Sequence, residues 1–129
     1  PQQIALADAK KGINMFQMES INVPVLGIVE NMSYFTPKEL PENKYYLFGK
    51  DGAKGLAEEM EVQLLGQIPL VQSVREAGDA GRPAVLQGAS DIALELLNMS
   101  KNVIQAVKKR NVKLAPTKTV QITNTKGCS

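Results

Sequence analysis

The residue best suited to chemistry is Asn31, in the polar pair Glu30-Asn31 that ends the apolar run VPVLGIV. The run at 23–29 is apolar at successive positions and rich in β-branched residues, which is typical of a strand buried on both faces of a parallel sheet. Ligands of such sheets collect beyond the carboxyl ends of the strands. Asn31 is therefore a candidate ligand contact, although asparagine at such a position serves about as often only to turn the chain.

A second apolar run, VQLLGQIP at 62–69, ends in Pro69 and predicts the next strand. Neighbouring parallel strands deliver the loops at their carboxyl ends side by side. We therefore expect Asn31 and Pro69 to form one ligand-binding edge. The residues predict this edge, and they predict no particular reaction.

The elements that must position this edge alternate as helix, strand, helix, strand, helix, which is half of a doubly wound α/β domain. We predict these five elements at 2–18, 25–29, 51–60, 62–69 and 90–110. Asp51 and Ser90 are the candidate N-caps of the second and third helices. A proline-containing loop is expected at 33–47, and a short helical turn around Val74 followed by an extended loop at 70–87. No strand precedes the first helix, which predicts that the chain is a fragment.

Composition narrows the function classes. With 129 residues, 43% hydrophobic and 22% charged, the chain is predicted to be one globular domain or a piece of one. It contains no apolar run of membrane-spanning length and no signal-peptide pattern, so we expect a cytoplasmic protein without a membrane partner. Histidine is absent and Cys128 is the only cysteine. Catalysis by Ser-His-Asp or Cys-His, and a multi-cysteine metal site within one chain, are therefore excluded for these residues.

The net charge of +2 conceals a basic C-terminal end, because seven basic residues and no acidic one follow position 95. Nucleic-acid binding is not favoured, since no aromatic or Gly-Arg pattern accompanies the charge. The segment at 112–129 alternates apolar and polar side chains around Val120 and Ile122, which predicts either an edge strand or a disordered tail. The expected organisation is a domain at 1–110 and a basic tail at 111–129.

Four blocks carry a resemblance to a known family: PQQIALADAKKGINMF, VPVLGIVENMSYF, YYLFGKDGAKGLAEE and LLGQIPLVQSVREAGDAGRP. In order and spacing they resemble the C-terminal part of the Mrp/ApbC family of P-loop ATPases, relatives of MinD and ParA, over about residues 1–97. The resemblance implies the C-terminal half of a doubly wound, mainly parallel, Rossmann-like sheet with flanking helices. It also implies a homodimer that carries iron-sulfur clusters to acceptor proteins.

ATP is the cofactor that the resemblance implies, with Mg²⁺ bound through the N-terminal part of the family's domain. The phosphate-binding loop of the family lies upstream of the block that begins here at position 1. No G-x-x-x-x-G-K-[ST] occurs in the 129 residues. By itself, this chain is therefore expected to be inactive as an ATPase.

The resemblance assigns adenine recognition to Asn31 and to Ile68, Pro69 and Leu70. An amide offers a donor and an acceptor that match N6 and N7 of adenine, and a proline-stiffened turn offers a flat apolar wall. Arg75, one helical turn farther on, is either a flanking contact to the base or ribose or, more often for such a residue, a surface side chain. Many relatives have aspartate at the position of Val71, so no polar contact is expected there.

Members of the family commonly carry a C-x-x-C between the second and third blocks, where thiolates from two subunits could hold a bridging cluster. The segment here, TPKELPENKYYLFG at 36–49, contains no cysteine. Two function classes stay open. One is an ATP-dependent iron-sulfur carrier, and the other is a MinD/ParA-like switch or adapter ATPase that carries no cluster.

Overall fold

Helices and parallel strands alternate along the chain in a computed structural model, which describes residues 2–86, 88 and 90–117. The elements are α1 (Gln3–Gln17), β1 (Gly27–Asn31), α2 (Gly52–Glu59), β2 (Gln63–Ile68), α3 (Gln72–Asp79), a 3-10 turn (Ala84–Leu86) and α4 (Asp91–Lys113). This is a mixed α/β fold with a small parallel sheet. The five predicted helices and strands occur in the predicted order, with one further helix, α3, between β2 and α4. No helix among the described residues is long and apolar enough to cross a membrane.

The sheet consists of β1 and β2 paired in parallel, with Gly27 opposite Gln63 at one end and Asn31 opposite Ile68 at the other. The strands approach closely at Gly27. A Cβ atom there would lie 2.5 Å from the backbone oxygen of Gln63 and 2.6 Å from the Cγ atom of Leu65. Only glycine fits this approach without a shift of the backbone.

Helices cover both faces of the sheet. Gly66 lies against α4, since a Cβ at Gly66 would be 3.0 Å from that of Met99. The next side chain, Gln67, reaches Glu30, which in turn binds the first turn of α2. Because successive side chains of a strand point to opposite faces, α4 and α2 lie on opposite sides of the sheet. α1 packs on α2, and an ion pair between Lys10 and Glu59 links the two helices.

The buried apolar side chains come from three helices and β2 together with one residue of α1. They are Ile13, Ala53, Leu56, Ala57, Leu65, Ile68, Ala77, Ile92, Ala93 and Ala106. Many are alanines, so the helices pack closely on one another and on the strands. α4 faces this core only in part, because Ile92 is buried whereas Val107 is exposed.

β1 differs from its predicted position at 25–29. It begins at Gly27, because Gly27 already pairs with the first residue of β2 and leaves residues 25 and 26 without a pairing partner in the described part of the chain. Burial on both faces is wrong for this strand, since Val29 is exposed. The reason is that α4 packs mainly against β2.

The last helix is capped as predicted: the hydroxyl oxygen of Ser90 accepts a hydrogen bond from the amide of Ala93 at 3.4 Å. α4 then runs to Lys113, three residues beyond the expected end. The predicted turn around Val74 is a full helix, α3, within which Arg75 bonds Asp79 one turn on. α3 ends at Asp79, and Gly81, two residues later, has a φ of +66° that lets the amide of Arg82 bond the carbonyl of Ala77.

The predicted N-cap role of Asp51 is wrong. Asp51 does precede α2, but its backbone is left-handed, with φ of +57°, and its side chain makes no capping hydrogen bond. An N-cap residue normally has an extended backbone that aims its side chain at the first turn. Glu30, which lies 23 positions away in the sequence, takes that role through the amide of Ala53.

The alternation around Val120 and Ile122, and Cys128, fall outside the described residues. The described chain reaches only Thr117, whose hydroxyl oxygen accepts a hydrogen bond from the guanidinium of Arg110 at 2.9 Å. Residues 112 and 113 belong to α4, so the predicted tail at 111–129 begins too early, because the helix continues beyond Arg110. Beyond residue 117 the edge-strand and tail interpretations remain predictions.

Candidate functional site

The carboxyl ends of β1 and β2 lie side by side, as the two apolar runs predict. Asn31 is the last residue of β1 and is the register partner of Ile68, the last residue of β2. Pro69 and Leu70 follow directly, so these four residues form one continuous edge. We refer to Asn31, Ile68, Pro69 and Leu70 as the carboxyl edge. Ile68 is buried, Pro69 is half-buried, and Asn31 and Leu70 are exposed.

Hydrogen bonds hold the two loops together beyond the ends of the strands. Both the amide and the hydroxyl of Ser33 donate to the carbonyl of Ile68, at 2.9 Å and 3.1 Å. The amide of Leu70 donates to the carbonyl of Tyr34 at 2.7 Å. Ser33 is only 2% exposed, so its two bonds to Ile68 are shielded from water. The carboxyl edge is thus fixed in shape by the backbone of both loops.

The side chain of Asn31 has a local role as well. Its Oδ1 atom accepts a hydrogen bond from the amide of Met32 at 3.0 Å, and Met32 has a left-handed backbone with φ of +54°. Asn31 therefore takes part in turning the chain, as the simpler interpretation of the sequence holds. A carbonyl oxygen has two lone pairs and the amide nitrogen has two protons, so this bond leaves both an acceptor and donors for a ligand.

Glu30 lies directly behind the carboxyl edge, and its role does not follow from the sequence alone. The side chain is 3% exposed. Its Oε1 atom accepts from the amide of Ala53 at 3.3 Å, and its Oε2 atom accepts from Nε2 of Gln67 at 2.5 Å. The signal for this residue was present: a carboxylate inside an apolar run must find hydrogen-bond donors to be buried. The donors themselves lie far away in sequence and could not be named.

Arg75 is not part of the carboxyl edge in this structure. Its guanidinium donates to Oδ2 of Asp79 at 2.8 Å and lies 3.7 Å from Oε1 of Glu76, on the exposed side of α3. Val71 is the residue that precedes α3, with an extended backbone and no capping hydrogen bond from its side chain. The absence of a polar group at position 71 therefore affects the start of this helix as well as the edge.

The loop between β1 and α2 folds back on itself above the carboxyl edge. Phe35 and Tyr45 exchange backbone hydrogen bonds of 2.8 Å in both directions. The rings of Tyr34 and Tyr46 lie 6.4 Å apart, and Nζ of Lys44 lies 4.2 Å from the centre of the Tyr34 ring. Aromatic and cationic side chains thus line this loop. Within the described ranges, no group of three or more His, Cys, Asp or Glu side chains could hold a metal ion.

A separate groove of about 330 Å³ lies at the opposite end of the sheet. It is lined by residues 24–26 before β1, residues 61–63 around the start of β2, and the last turns of α4 with Lys109, Arg110 and Lys113. The strands thus have a basic groove at their amino ends and the carboxyl edge at the other. A ligand bound at one end would not touch the residues of the other.

Comparison with known proteins identifies the relatives of this chain. Residues 1–108 match the sequence model of the ParA family described as "NUBPL iron-transfer P-loop NTPase". The chain is 45% identical over 109 residues to the mouse protein named "Iron-sulfur cluster transfer protein NUBPL", a match that covers 84% of this chain and 33% of the relative. It is 54% identical over 86 residues to the Escherichia coli "Iron-sulfur cluster carrier protein", covering 67% of this chain and 22% of that protein.

A third relative is the iron-sulfur cluster carrier protein of Synechocystis, which is 46% identical over 104 residues, or 80% of this chain and 29% of the relative. The chain therefore spans about a third or less of the length of these curated relatives. The family model nevertheless covers most of the chain, and its matched residues 1–108 include the carboxyl edge and all but the end of α4. The chain belongs to the NUBPL iron-transfer P-loop NTPase family.

Proposed function

We propose that this chain is the adenine-binding part of an ATP-dependent iron-sulfur cluster carrier. The observation that carries the proposal is the pairing of Asn31 with Ile68 at the carboxyl ends of two parallel strands. Ligands of parallel α/β sheets bind at this end. Asn31 would bond N6 and N7 of adenine, while Pro69 and Leu70 would pack on the face of the base.

The shape of the edge supports this assignment. An adenine ring needs a flat apolar wall and a few fixed polar groups beside it. Ser33 and the backbone bond between Leu70 and Tyr34 fix the two loops relative to each other, so the wall and the amide would be positioned before the nucleotide arrives. Arg75 would join the site only by leaving Asp79, and we therefore assign it to the periphery, near the ribose.

The phosphates and Mg²⁺ would bind outside this chain, which contains no phosphate-binding loop. The complete domain would then be a doubly wound sheet in which β1 and β2 belong to the half that binds the base. The phosphate-binding half would carry out ATP hydrolysis, and the residues of the carboxyl edge would orient the nucleotide. We further propose a cytoplasmic homodimer that passes its cluster to acceptor proteins.

A cluster carrier is favoured over a metal-free switch because the relatives are named for iron-sulfur cluster carriage or transfer. The loop at 36–49 contains no thiol, so the cluster would be cargo held by groups other than those of this loop. Phe35 and Tyr45 are exposed in the loop between β1 and α2, and aromatic side chains are enriched at protein–protein interfaces. We assign that loop to protein–protein contact in the dimer or with an acceptor.

Replacement of Asn31 by alanine tests the base assignment in the full-length protein. Asn31→Ala removes one or two hydrogen bonds to adenine and none to the phosphates. The affinity for ATP should fall by about tenfold, and that for GTP should change little, since one or two bonds are worth about 0.5–1.5 kcal/mol each. Competition binding with ATP, GTP and inorganic tripolyphosphate measures the preference.

The matched control is Asn98→Ala, which removes an exposed amide of α4 far from the edge in sequence. It should leave the ratio of ATP to GTP affinity unchanged. An unchanged ratio in Asn31→Ala would refute the adenine assignment.

Reconstitution of the full-length protein with iron and sulfide tests the carrier function. Visible absorption bands of a bound cluster, and their loss when an apo acceptor is added, are the expected result. A colourless protein that still binds ATP and dimerises would instead identify the metal-free switch.

A further inference from the structure

We propose that Glu30 is a positioning residue for the base site, acting with Gln67 as a clamp behind the carboxyl edge. The inference rests on the proposed function of that edge and adds a residue pair that determines base preference without touching the base. Glu30 and Gln67 are register partners on β1 and β2. Each immediately precedes a residue of the edge, Asn31 in one strand and Ile68 in the other.

Because Glu30 is buried, its carboxylate needs hydrogen-bond donors from the protein. A carboxylate that is 3% exposed is costly unless donors satisfy it. Glu30 has one donor in the amide of Ala53, at 3.3 Å, and one in the side chain of Gln67, at 2.5 Å. Bonds to an ionised acceptor are shorter and stronger than neutral ones. The carboxylate therefore fixes β1 to β2 at one step before the edge, in addition to the backbone ladder.

The bond from the amide of Ala53 to Glu30 extends the clamp to α2. Ala53 is the second residue of α2, where backbone amides have no acceptor within the helix and where negative charge is stabilised by the helix dipole. Asp51 makes no capping bond, so Glu30 is the side chain that caps this helix. The loop that starts after Asn31 ends at α2. One carboxylate thus holds both the strand from which the loop departs and the helix at which it arrives.

The clamp would therefore determine the geometry of the base site without contacting the base. If the clamp is removed, the backbone ladder still pairs the strands, but the last residues of β1 can move relative to those of β2 and to α2. Hydrogen bonds to a base depend on the position of the amide within a few tenths of an ångström, whereas phosphate binding elsewhere does not depend on this edge. Loss of the clamp should therefore lower the preference for adenine and leave phosphate affinity unchanged.

The test uses three variants of the full-length protein. Glu30→Ala removes the clamp, Gln67→Ala removes one arm of it, and the double variant Glu30→Gln with Gln67→Glu exchanges the two groups. The exchange keeps an acceptor for the amide of Ala53 and restores a carboxylate–amide pair with the donor on the other strand. Glu58→Ala, which removes an exposed carboxylate of α2, is the matched control.

The ratio of ATP to GTP affinity is the readout, measured below the thermal midpoint of every variant. We expect each single variant to lower the ratio by about twofold to tenfold, the scale of one hydrogen bond, with tripolyphosphate affinity unchanged. The exchanged pair should recover the ratio to within about twofold. A merely structural role would alter the thermal midpoint and leave the ratio as it is.

The result that overturns the clamp is a lowered ratio in Asn31→Ala together with unchanged ratios in Glu30→Ala and Gln67→Ala. A folded exchange variant that fails to recover the ratio would also overturn it. If Glu30→Ala does not fold, Gln67→Ala and the exchanged pair decide the question. An unchanged ratio in Asn31→Ala refutes the base assignment itself and, with it, the clamp.

Discussion

At the scale of single residues, conformation separates positions that look alike in the sequence. Asp51 and Glu30 are both carboxylates near the start of α2, yet only Glu30 bonds its first turn. Glu61 and Gly81 likewise occupy equivalent positions after α2 and α3. Both have left-handed backbones, with φ of +54° and +66°, and in both cases the next residue bonds back across the helix end. Only Gly81 is of the residue type, glycine, that a left-handed backbone favours.

Substitutions at Glu61 and at Gly81 should have opposite effects on stability. Glu61→Gly should raise the free energy of unfolding by about 1 kcal/mol, because it relieves the strain of a left-handed side-chain-bearing residue. Gly81→Ala should lower it by about the same amount, although a Cβ at Gly81 meets no atom within 4 Å. Urea unfolding of both variants measures the two changes.

Gly12→Ala is the control for this pair. A Cβ at Gly12 also meets nothing within 4 Å, but Gly12 lies inside α1 with an ordinary helical backbone. Alanine there should stabilise by roughly 0.5–1 kcal/mol. If Gly81→Ala were as stabilising as Gly12→Ala, the argument from backbone conformation would be wrong.

At the scale of elements, hydrophobic period and end signals were sufficient for most of the fold. α1, β2 and α4 lie within three residues of their predicted limits, because each has a long apolar pattern or a clear cap such as Ser90. β1 was displaced by two residues, since register depends on where the partner strand begins. α3 is longer than the predicted turn. Gly78 weakens the helical pattern in the sequence, but the ion pair of Arg75 with Asp79 supports an exposed helix.

The candidate site, too, could be predicted from the sequence only in part. Its position at the carboxyl ends followed from two apolar runs, and the chemistry of Asn31 followed from its residue type together with a family resemblance. The clamp did not follow, because Glu30, Gln67 and Ala53 come together only through strand register and helix packing. Spacing along the chain contains no record of such contacts.

At the scale of the whole molecule, the two ends of the sheet present different surfaces. The carboxyl edge is apolar with one amide, whereas the groove at the amino ends is bordered by Lys109, Arg110 and Lys113. A nucleotide attracted only by charge would favour the groove. A nucleotide recognised by its base would favour the carboxyl edge, and our account requires the second outcome.

Photolabelling of the full-length protein distinguishes these outcomes most directly. ATP with an azide on the adenine ring would be irradiated in the bound state, and the labelled residues would be located by tandem mass spectrometry. We predict labels at 31–34 and 67–71, which unlabelled ATP abolishes and GTP reduces far less. Labels confined to residues 24–26 and 109–114, or equal protection by GTP, would contradict the assignment of adenine recognition to the carboxyl edge.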